Sequence, residues 1–66
     1  MIREPVSSSR IKSVGWANNT LEIEFSNGAV YPYHGVTQNE YVLFLDASSL
    51  GTELNKLKNN HPYNRI

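Results

Sequence analysis

The sequence contains no cysteine, and that absence excludes disulfide bonds and thiolate zinc sites. Neither of its two histidines belongs to a His-Glu-x-x-His motif or stands beside an acidic cluster, so we expect no bound metal and no cofactor. The longest apolar run, Val42 to Leu45, is far too short to span a membrane, and residues 1–5 lack the apolar core of a signal peptide. These absences predict a soluble cytoplasmic protein.

Motifs that carry a catalytic nucleophile are also missing. The pairs Ser8-Ser9 and Ser48-Ser49 lie outside any Gly-x-Ser-x-Gly elbow, and we interpret them as turn and helix-capping residues. The glycines are isolated from one another, unlike those of a phosphate-binding loop. We therefore expect a protein that binds a partner and is not an enzyme.

The chain has 66 residues, of which 39% are hydrophobic, and this supports one small core. A chain of this size buries only about 60% of the surface that it exposes when unfolded, so its stability is marginal. We expect one domain over residues 1–66, in which residues 1–8 form a flexible leader and residues 9–60 form the core.

Positive and negative charges are separated along the chain. Residues 1–12 carry three basic residues and one acidic residue, residues 13–53 carry five acidic residues and no basic one, and residues 54–66 carry three basic residues and no acidic one. If the two ends meet in space, they form a basic pole that attracts phosphate groups. Chance segregation of so few charges explains the same pattern, and both interpretations stay open.

Three strands are predicted in the first half. The clearest is Leu21 to Phe25, where apolar residues alternate with glutamates. In the strand before it, Ile11 and Val14 are three apart and cannot share one face of a regular strand, so we expect either a bulge near Ser13 or a strand buried partly on both faces. Asn27-Gly28 predicts a two-residue type I′ hairpin turn into a third strand.

Two helices are predicted in the second half, after a third strand, Ala29 to Tyr33, that Pro32 favours at a sheet edge. Thr37 and Glu40 have the spacing of a capping box. A second helix, capped by Ser48 or Ser49, ends before Pro62. The fold class is therefore α+β, a three-stranded antiparallel β-meander followed by two helices packed on one face (β-β-β-α-α), with the other face of the sheet open.

Several short motifs occur in an order and at spacings that resemble the KTSC family, here as a stand-alone domain. They are Val14-Gly15-Trp16, Leu21 to Gly28, Tyr31-Pro32-Tyr33, Gly35-Val36, Ser49-Leu50-Gly51, Leu54-Asn55 and Pro62-Tyr63. The family is named for its place at the C-terminus of some lysyl-tRNA synthetases. The resemblance implies a small α+β domain, and the occurrence of the family beside some lysyl-tRNA synthetases suggests RNA binding.

The candidate site for RNA combines aromatic and basic side chains. On the open sheet face, Trp16, Tyr31 and Tyr33 would form a platform on which bases stack. Packing of both tyrosines under the helices is the competing interpretation, and Asn55 serves equally well for recognition or for bonding a turn. The hypothesis assigns RNA binding to Arg10, Lys12, Trp16, Tyr31, Tyr33, Asn55, Lys56, Lys58 and Arg65.

One alternative hypothesis is a small-molecule binder, for instance of a nucleotide, although a chain this short has room for at most a shallow pocket unless it oligomerises. Another alternative is a protein-interaction module. The edge strand, Ala29 to Tyr33, or the open sheet face would then dock a protein partner or a second copy of the chain.

Overall fold

The computed structural model describes residues 2–63 as a four-stranded antiparallel sheet and two helices. The strands follow one another in the order β1-β2-β3-β4. The elements are β1 (Glu4–Pro5), β2 (Ile11–Ala17), β3 (Thr20–Phe25), β4 (Val30–His34), α1 (Gln38–Leu45) and α2 (Leu50–Asn60). The sheet therefore has four strands where the sequence predicted three, while the α+β class and the two helices are confirmed.

The additional strand, β1, lies within the segment that the sequence suggested as a leader. Glu4 pairs with Val14 and Pro5 with Ser13, and the Val6 N–H donates to the Lys12 carbonyl at 3.2 Å. A two-residue strand is too short to produce an alternating pattern, which is why the sequence did not reveal it. A proline is tolerated there because β1 is an edge strand.

Strand β2 contains the predicted bulge. Ile11 pairs with Phe25 and Ser13 with Glu24, so the register shifts between Ile11 and Ser13. The extra residue lets Ile11 and Val14 both face the core, where each is 1% exposed.

The two hairpin turns differ in type from each other. Asn18 and Asn19 have φ values of 52° and 58°, as a two-residue type I′ turn requires. The next hairpin is at the predicted place, but its loop has three residues: the Gly28 N–H donates to the Phe25 carbonyl, and the Phe25 N–H to the Ala29 carbonyl. Only Gly28, at φ 90°, is left-handed in this loop, so the two-residue turn predicted at Asn27-Gly28 is wrong.

Both helices begin at predicted caps. The Thr37 hydroxyl accepts from the Glu40 N–H at 3.2 Å, and the Glu40 carboxylate accepts from the Thr37 N–H at 3.1 Å, which confirms the capping box. Ser49 caps α2 by accepting from the Thr52 N–H at 3.4 Å. Among the described residues, no helix is long and apolar enough to cross a membrane.

The hydrophobic core lies between the helices and one face of the sheet. Phe44 of α1 and Leu54 and Leu57 of α2 pack against a set of buried strand residues. That set is Ile11, Val14, Leu21, Ile23 and Tyr33. The opposite face of the sheet carries Ser13, Glu22, Glu24 and Pro32, as the strand register requires.

The outer edge of β4 is partly covered by the residues that follow α2. The His34 N–H donates to the Pro62 carbonyl at 2.9 Å, and Tyr63 forms an antiparallel bridge with Tyr33. The edge position predicted for this strand is confirmed, and the covering segment shields its last residues.

Candidate functional site

The tyrosines of the predicted platform lie on the helix-covered face. Tyr31 pairs with Ile23 and Tyr33 with Leu21, and Tyr33 is only 2% exposed. The proposed platform on the open face is therefore wrong in its placement. The cause is the third residue in the hairpin loop, because the two-residue loop that the sequence predicted would shift the register by one and turn both tyrosines to the other face.

Trp16 also faces the helices, and it has a structural role. Its indole N–H donates to the Val36 carbonyl at 2.8 Å, and its ring stacks on Tyr41 with 6.2 Å between centroids. These contacts tie β2 to the start of α1. The ring is thus separated from Tyr31 and Tyr33 and does not continue their surface.

The open face itself is acidic and internally paired. Arg3 forms an ion pair with Glu22, and the Ser13 hydroxyl donates to Glu24 at 2.8 Å. Glutamates on this face repel phosphate, so the face suits a polyanion poorly.

A cleft of about 330 Å³ opens instead between α2 and the end of the sheet that carries the β3–β4 hairpin. We call it the cationic cleft. It is lined by Arg10, Ile11, Phe25, Asn27, Ala29, Tyr31, Tyr33, Gly51, Leu54, Asn55, Lys58 and Tyr63. Most of the motifs by which the sequence resembles a known family thus contribute to one concave surface.

Helix α2 supplies one wall of the cationic cleft. Asn55 and Lys58 are three residues apart and share a face of the helix. Gly51 lies one turn earlier, and the Arg10 Cδ is 3.8 Å from the position that a Cβ on Gly51 would occupy. The Arg10 stem therefore passes over the first turn of α2, at a distance that a side chain on residue 51 would meet in ordinary van der Waals contact.

Three tyrosines and a phenylalanine supply the other wall. The Tyr63 ring lies 5.0 Å from that of Tyr33 and 5.9 Å from that of Tyr31, between centroids, and Phe25 meets Tyr31 edge to face at 5.5 Å. Tyr63 remains 44% exposed. Burial, with Tyr63 and Tyr31 nearby, raises the pKa of Tyr33 to about 12, so its phenol keeps its proton at neutral pH.

The charge of the cationic cleft is positive and not neutralised. None of its described lining residues is acidic, and neither Arg10 nor Lys58 is paired with a carboxylate within residues 2–63. Unpaired cations in a concavity focus a positive potential on whatever enters it.

The remaining predicted site residues lie elsewhere. Lys56 faces the groove between α1 and α2, where its Nζ is 4.0 Å from Glu53. Lys12 is exposed on β2 and does not line the cleft. Arg65 lies outside the described residues. The structure thus brings together Arg10, Tyr31, Tyr33, Asn55 and Lys58, and separates Trp16, Lys12 and Lys56 from them.

Sequence reasoning missed Tyr63 and the contact that positions it. His61 ends α2, with Nε2 2.9 Å from a Glu40 carboxylate oxygen and Nδ1 3.1 Å from the His34 carbonyl. These two contacts hold the imidazole against Glu40 and the end of β4, and with it the segment that carries Tyr63. The only signal in the sequence was Pro62-Tyr63 among the family motifs.

Comparisons with known proteins agree with this fold. The family model of the KTSC domain matches residues 7–60. A protein of Stutzerimonas stutzeri (strain A1501), described as uncharacterized, is 37% identical over 59 residues, which cover 86% of this chain and 83% of that protein. The crystal structure of a KTSC domain protein from Yersinia pestis superposes with a TM-score of 0.92 at 37% identity, covering 98% of this chain and 96% of the other.

Proposed function

We propose that this chain, which belongs to the KTSC domain family, binds single-stranded RNA in the cationic cleft and acts by binding rather than by catalysis. One observation carries the proposal: two unpaired cations, Arg10 and Lys58, line the same concavity as three tyrosine rings. Single-stranded nucleic acid is recognised by this combination of positive charge and aromatic surface.

Arg10 and Lys58 are suited to the phosphate group. An arginine guanidinium offers a planar fork of donors that matches phosphate oxygens, and a lysine adds a mobile point charge. Because no described carboxylate in the cleft competes for them, both are available to a ligand. Displacement of counterions from the phosphates would make binding salt-dependent.

The bases would contact the tyrosine wall and the amides beside it. The exposed part of Tyr63 offers a ring face for stacking. Asn55 presents both a donor and an acceptor, as recognition of base edges requires. Asn27, on the opposite side of the cleft, contributes its amide N–H groups as donors, because its side-chain oxygen accepts from the Ala29 N–H at 3.0 Å.

The chemistry of the cleft supports binding without catalysis. Its described lining contains no histidine or carboxylate that would act as a general base, and the pKa of Tyr33 is raised to about 12, far from the range useful at neutral pH. We therefore include the absence of enzymatic activity in the proposal.

The test is an amide NMR titration of labelled protein with a mixed-sequence single-stranded RNA pool at low and moderate salt. We expect shifts at Arg10, Asn27, Gly51, Asn55 and Lys58 that weaken as salt rises. The matched pair of variants is Lys58→Gln and Lys56→Gln, two exposed lysines of one helix. Lys58→Gln should lower affinity about tenfold, the size of one charge-assisted contact, and Lys56→Gln should change it little.

Two results would contradict the proposal. The first is an absence of shifts at low salt. The second is equal loss of affinity in Lys56→Gln and Lys58→Gln, which would indicate diffuse attraction to the protein's charges rather than binding in the cleft.

A protein-interaction module remains the second candidate, and one observation favours it on α1. Helix α1 exposes Val42, Leu43 and Leu45, of which Leu43 is 69% exposed and borders the groove beside α2. Exposed clusters of this kind occur at protein contacts. Sedimentation over a dilution series of the wild type and of Leu43→Glu would test it: self-association lost in the variant supports this candidate, and a monomer at every concentration counts against a homodimer.

A further inference from the structure

We infer that the cationic cleft holds one nucleotide unit, a nucleoside with a phosphate, either free or at the end of an RNA strand. This inference rests on the proposed function and narrows it. The alternative within that function is a long strand that crosses the surface and is held at many phosphates and bases.

The dimensions of the cleft favour a small ligand. Its volume of about 330 Å³ lies at the lower end of the range of ligand pockets, about 300–1,000 Å³. The hairpin, α2 and Tyr63 bound it on different sides. A ligand of one base, one sugar and one phosphate matches a concavity with one aromatic wall and one cationic wall.

The tyrosines provide one stacking surface rather than a series. The Tyr63 ring is in contact with Tyr33 and Tyr31, at 5.0 and 5.9 Å between centroids, and these distances leave no space for a base between the rings. Proteins that follow a long single strand use aromatic residues at successive positions. Trp16, the other aromatic residue that the sequence suggested for stacking, is stacked on Tyr41 and packs toward the helices, so it does not extend this surface.

The distribution of cations leads to the same conclusion. Outside the cleft, Arg3 is paired with Glu22 and Lys56 with Glu53, so within residues 2–63 only Lys12 remains for a further phosphate. A strand that left the cleft across the open sheet face would meet Glu22 and Glu24. Each phosphate beyond the first one or two would therefore add repulsion rather than attraction.

The test is a length series measured by NMR titration and calorimetry. The probes are a nucleoside, inorganic phosphate, a nucleoside 5′-monophosphate, and RNA of two, four and eight nucleotides. We expect the monophosphate to bind within about threefold of the longest RNA, and the nucleoside and inorganic phosphate to bind at least about tenfold more weakly. The salt slope of RNA binding should correspond to about one phosphate contact, near −0.7 for a single strand.

Variants locate the effect. Arg10→Gln and Lys58→Gln should each weaken the monophosphate about tenfold, whereas Lys56→Gln should leave it unchanged. All three side chains are exposed or at the surface, and dispersed amide spectra would verify that the variants are folded. Tetranucleotides with a 5′-phosphate, a 3′-phosphate or hydroxyl ends distinguish a strand end from a free nucleotide as the source of the unit.

The outcomes separate this inference from the proposed function. An affinity that climbs with every added nucleotide, or long RNA that binds where the monophosphate does not, overturns the single-unit inference and leaves RNA binding standing. Failure of the monophosphate and of every RNA to bind overturns both.

Discussion

Helix α2 carries two lysines two residues apart, and their surroundings differ in almost every respect. Lys56 faces the groove between the helices, close to Glu53 and among Leu43, Phe44 and Leu57. Lys58 projects about 200° further around the axis, into the cationic cleft, where no described lining residue is acidic. Two residues that looked equivalent as members of a basic run therefore serve different surfaces.

In the groove between α1 and α2, the carboxylates already have partners within the protein. Glu53 is near Lys56, and Glu40 accepts from the Thr37 backbone and lies against His61. Exposed pairs of this kind contribute about 0–1 kcal/mol each, so they add little stability. Their consequence is that this flank attracts neither anions nor cations strongly, and the cleft on the other flank is left as the place for an anionic ligand.

The largest expected effect is a loss of folding stability, which would disrupt both the groove between the helices and the cationic cleft. Leu54 is 5% exposed and lines the cleft from the core side, so Leu54→Ala should cost about 2–5 kcal/mol. At about 0.05–0.15 kcal/mol per residue, a chain of this length has a total stability of about 3–10 kcal/mol, so the variant should lose a large part of it. Urea denaturation followed by circular dichroism measures the loss. Leu43→Ala, at an exposed leucine of α1, is the control and should change stability by no more than about 0.5 kcal/mol.

A carboxylate placed in the cationic cleft should cancel much of the positive charge that distinguishes it from the groove between α1 and α2. Asn55→Asp is nearly isosteric and sets a negative charge among Arg10 and Lys58, so RNA affinity should fall about tenfold with little change in the denaturation midpoint. Glu53→Gln, which frees Lys56 on the other flank, is the matched control and should leave affinity unchanged. If Glu53→Gln raised affinity as much as Asn55→Asp lowered it, net charge rather than the cleft would govern binding.

Loss of the α1 cap should affect stability and not binding. Thr37→Ala removes the hydroxyl that accepts from the Glu40 N–H and should cost about 1 kcal/mol, within a range of about 0.5–2. Chemical denaturation and an RNA titration on the same samples separate the two quantities. A lower RNA affinity in the fully folded variant would show that the cap of α1 influences the cationic cleft through the Glu40–His61 contact.

Two predictions that depended on local chemistry succeeded, and a third, the two-residue turn at Asn27-Gly28, failed. The capping box needs only Thr37 and Glu40 at the right spacing, and the bulge near Ser13 follows from the positions of Ile11 and Val14. Both rules depend only on residues that lie within a few positions of one another, so they can be applied without knowing the tertiary fold.

The placement of the aromatic residues required a non-local quantity, the register of β4. The spacing of Tyr31 and Tyr33 shows that they share a face and does not show which face. One additional loop residue decided the matter, with Gly28 alone left-handed in the loop. The cleft itself joins residues from both halves of the chain, and no local pattern could reveal its freedom from acidic residues.

Tyr33, which lines the cationic cleft, should show a characteristic titration at alkaline pH. Because the pKa of Tyr33 is raised to about 12 in the folded protein, the contribution of its neutral phenol to stability is complete below the ordinary tyrosine value of about 10. That contribution declines as the pH rises from about 10 to 12. Ultraviolet titration should show a tyrosine ionising near pH 12, and Tyr33→Phe should remove that step; Tyr41→Phe is the matched comparison, because burial also raises the pKa of Tyr41. If the late step survives in Tyr33→Phe, the shifted phenol belongs to another tyrosine.

The smallest effect is expected on the α1 flank in acid. Hydrogen bonds from the Thr37 backbone and from His61 lower the pKa of Glu40 below the usual value of a glutamate, so its folded form binds fewer protons than its unfolded form. Stability from this carboxylate is therefore present above that value and is lost as the pH falls through the lower folded pKa. Comparing the denaturation midpoints of the wild type and Glu40→Gln at neutral and acid pH isolates it, and the wild type should lose at most about 1 kcal/mol more than the variant. Equal losses would mean that the Glu40–His61 contact orders the segment before Tyr63 without stabilising the fold, which would make it a positioning device for the cleft alone.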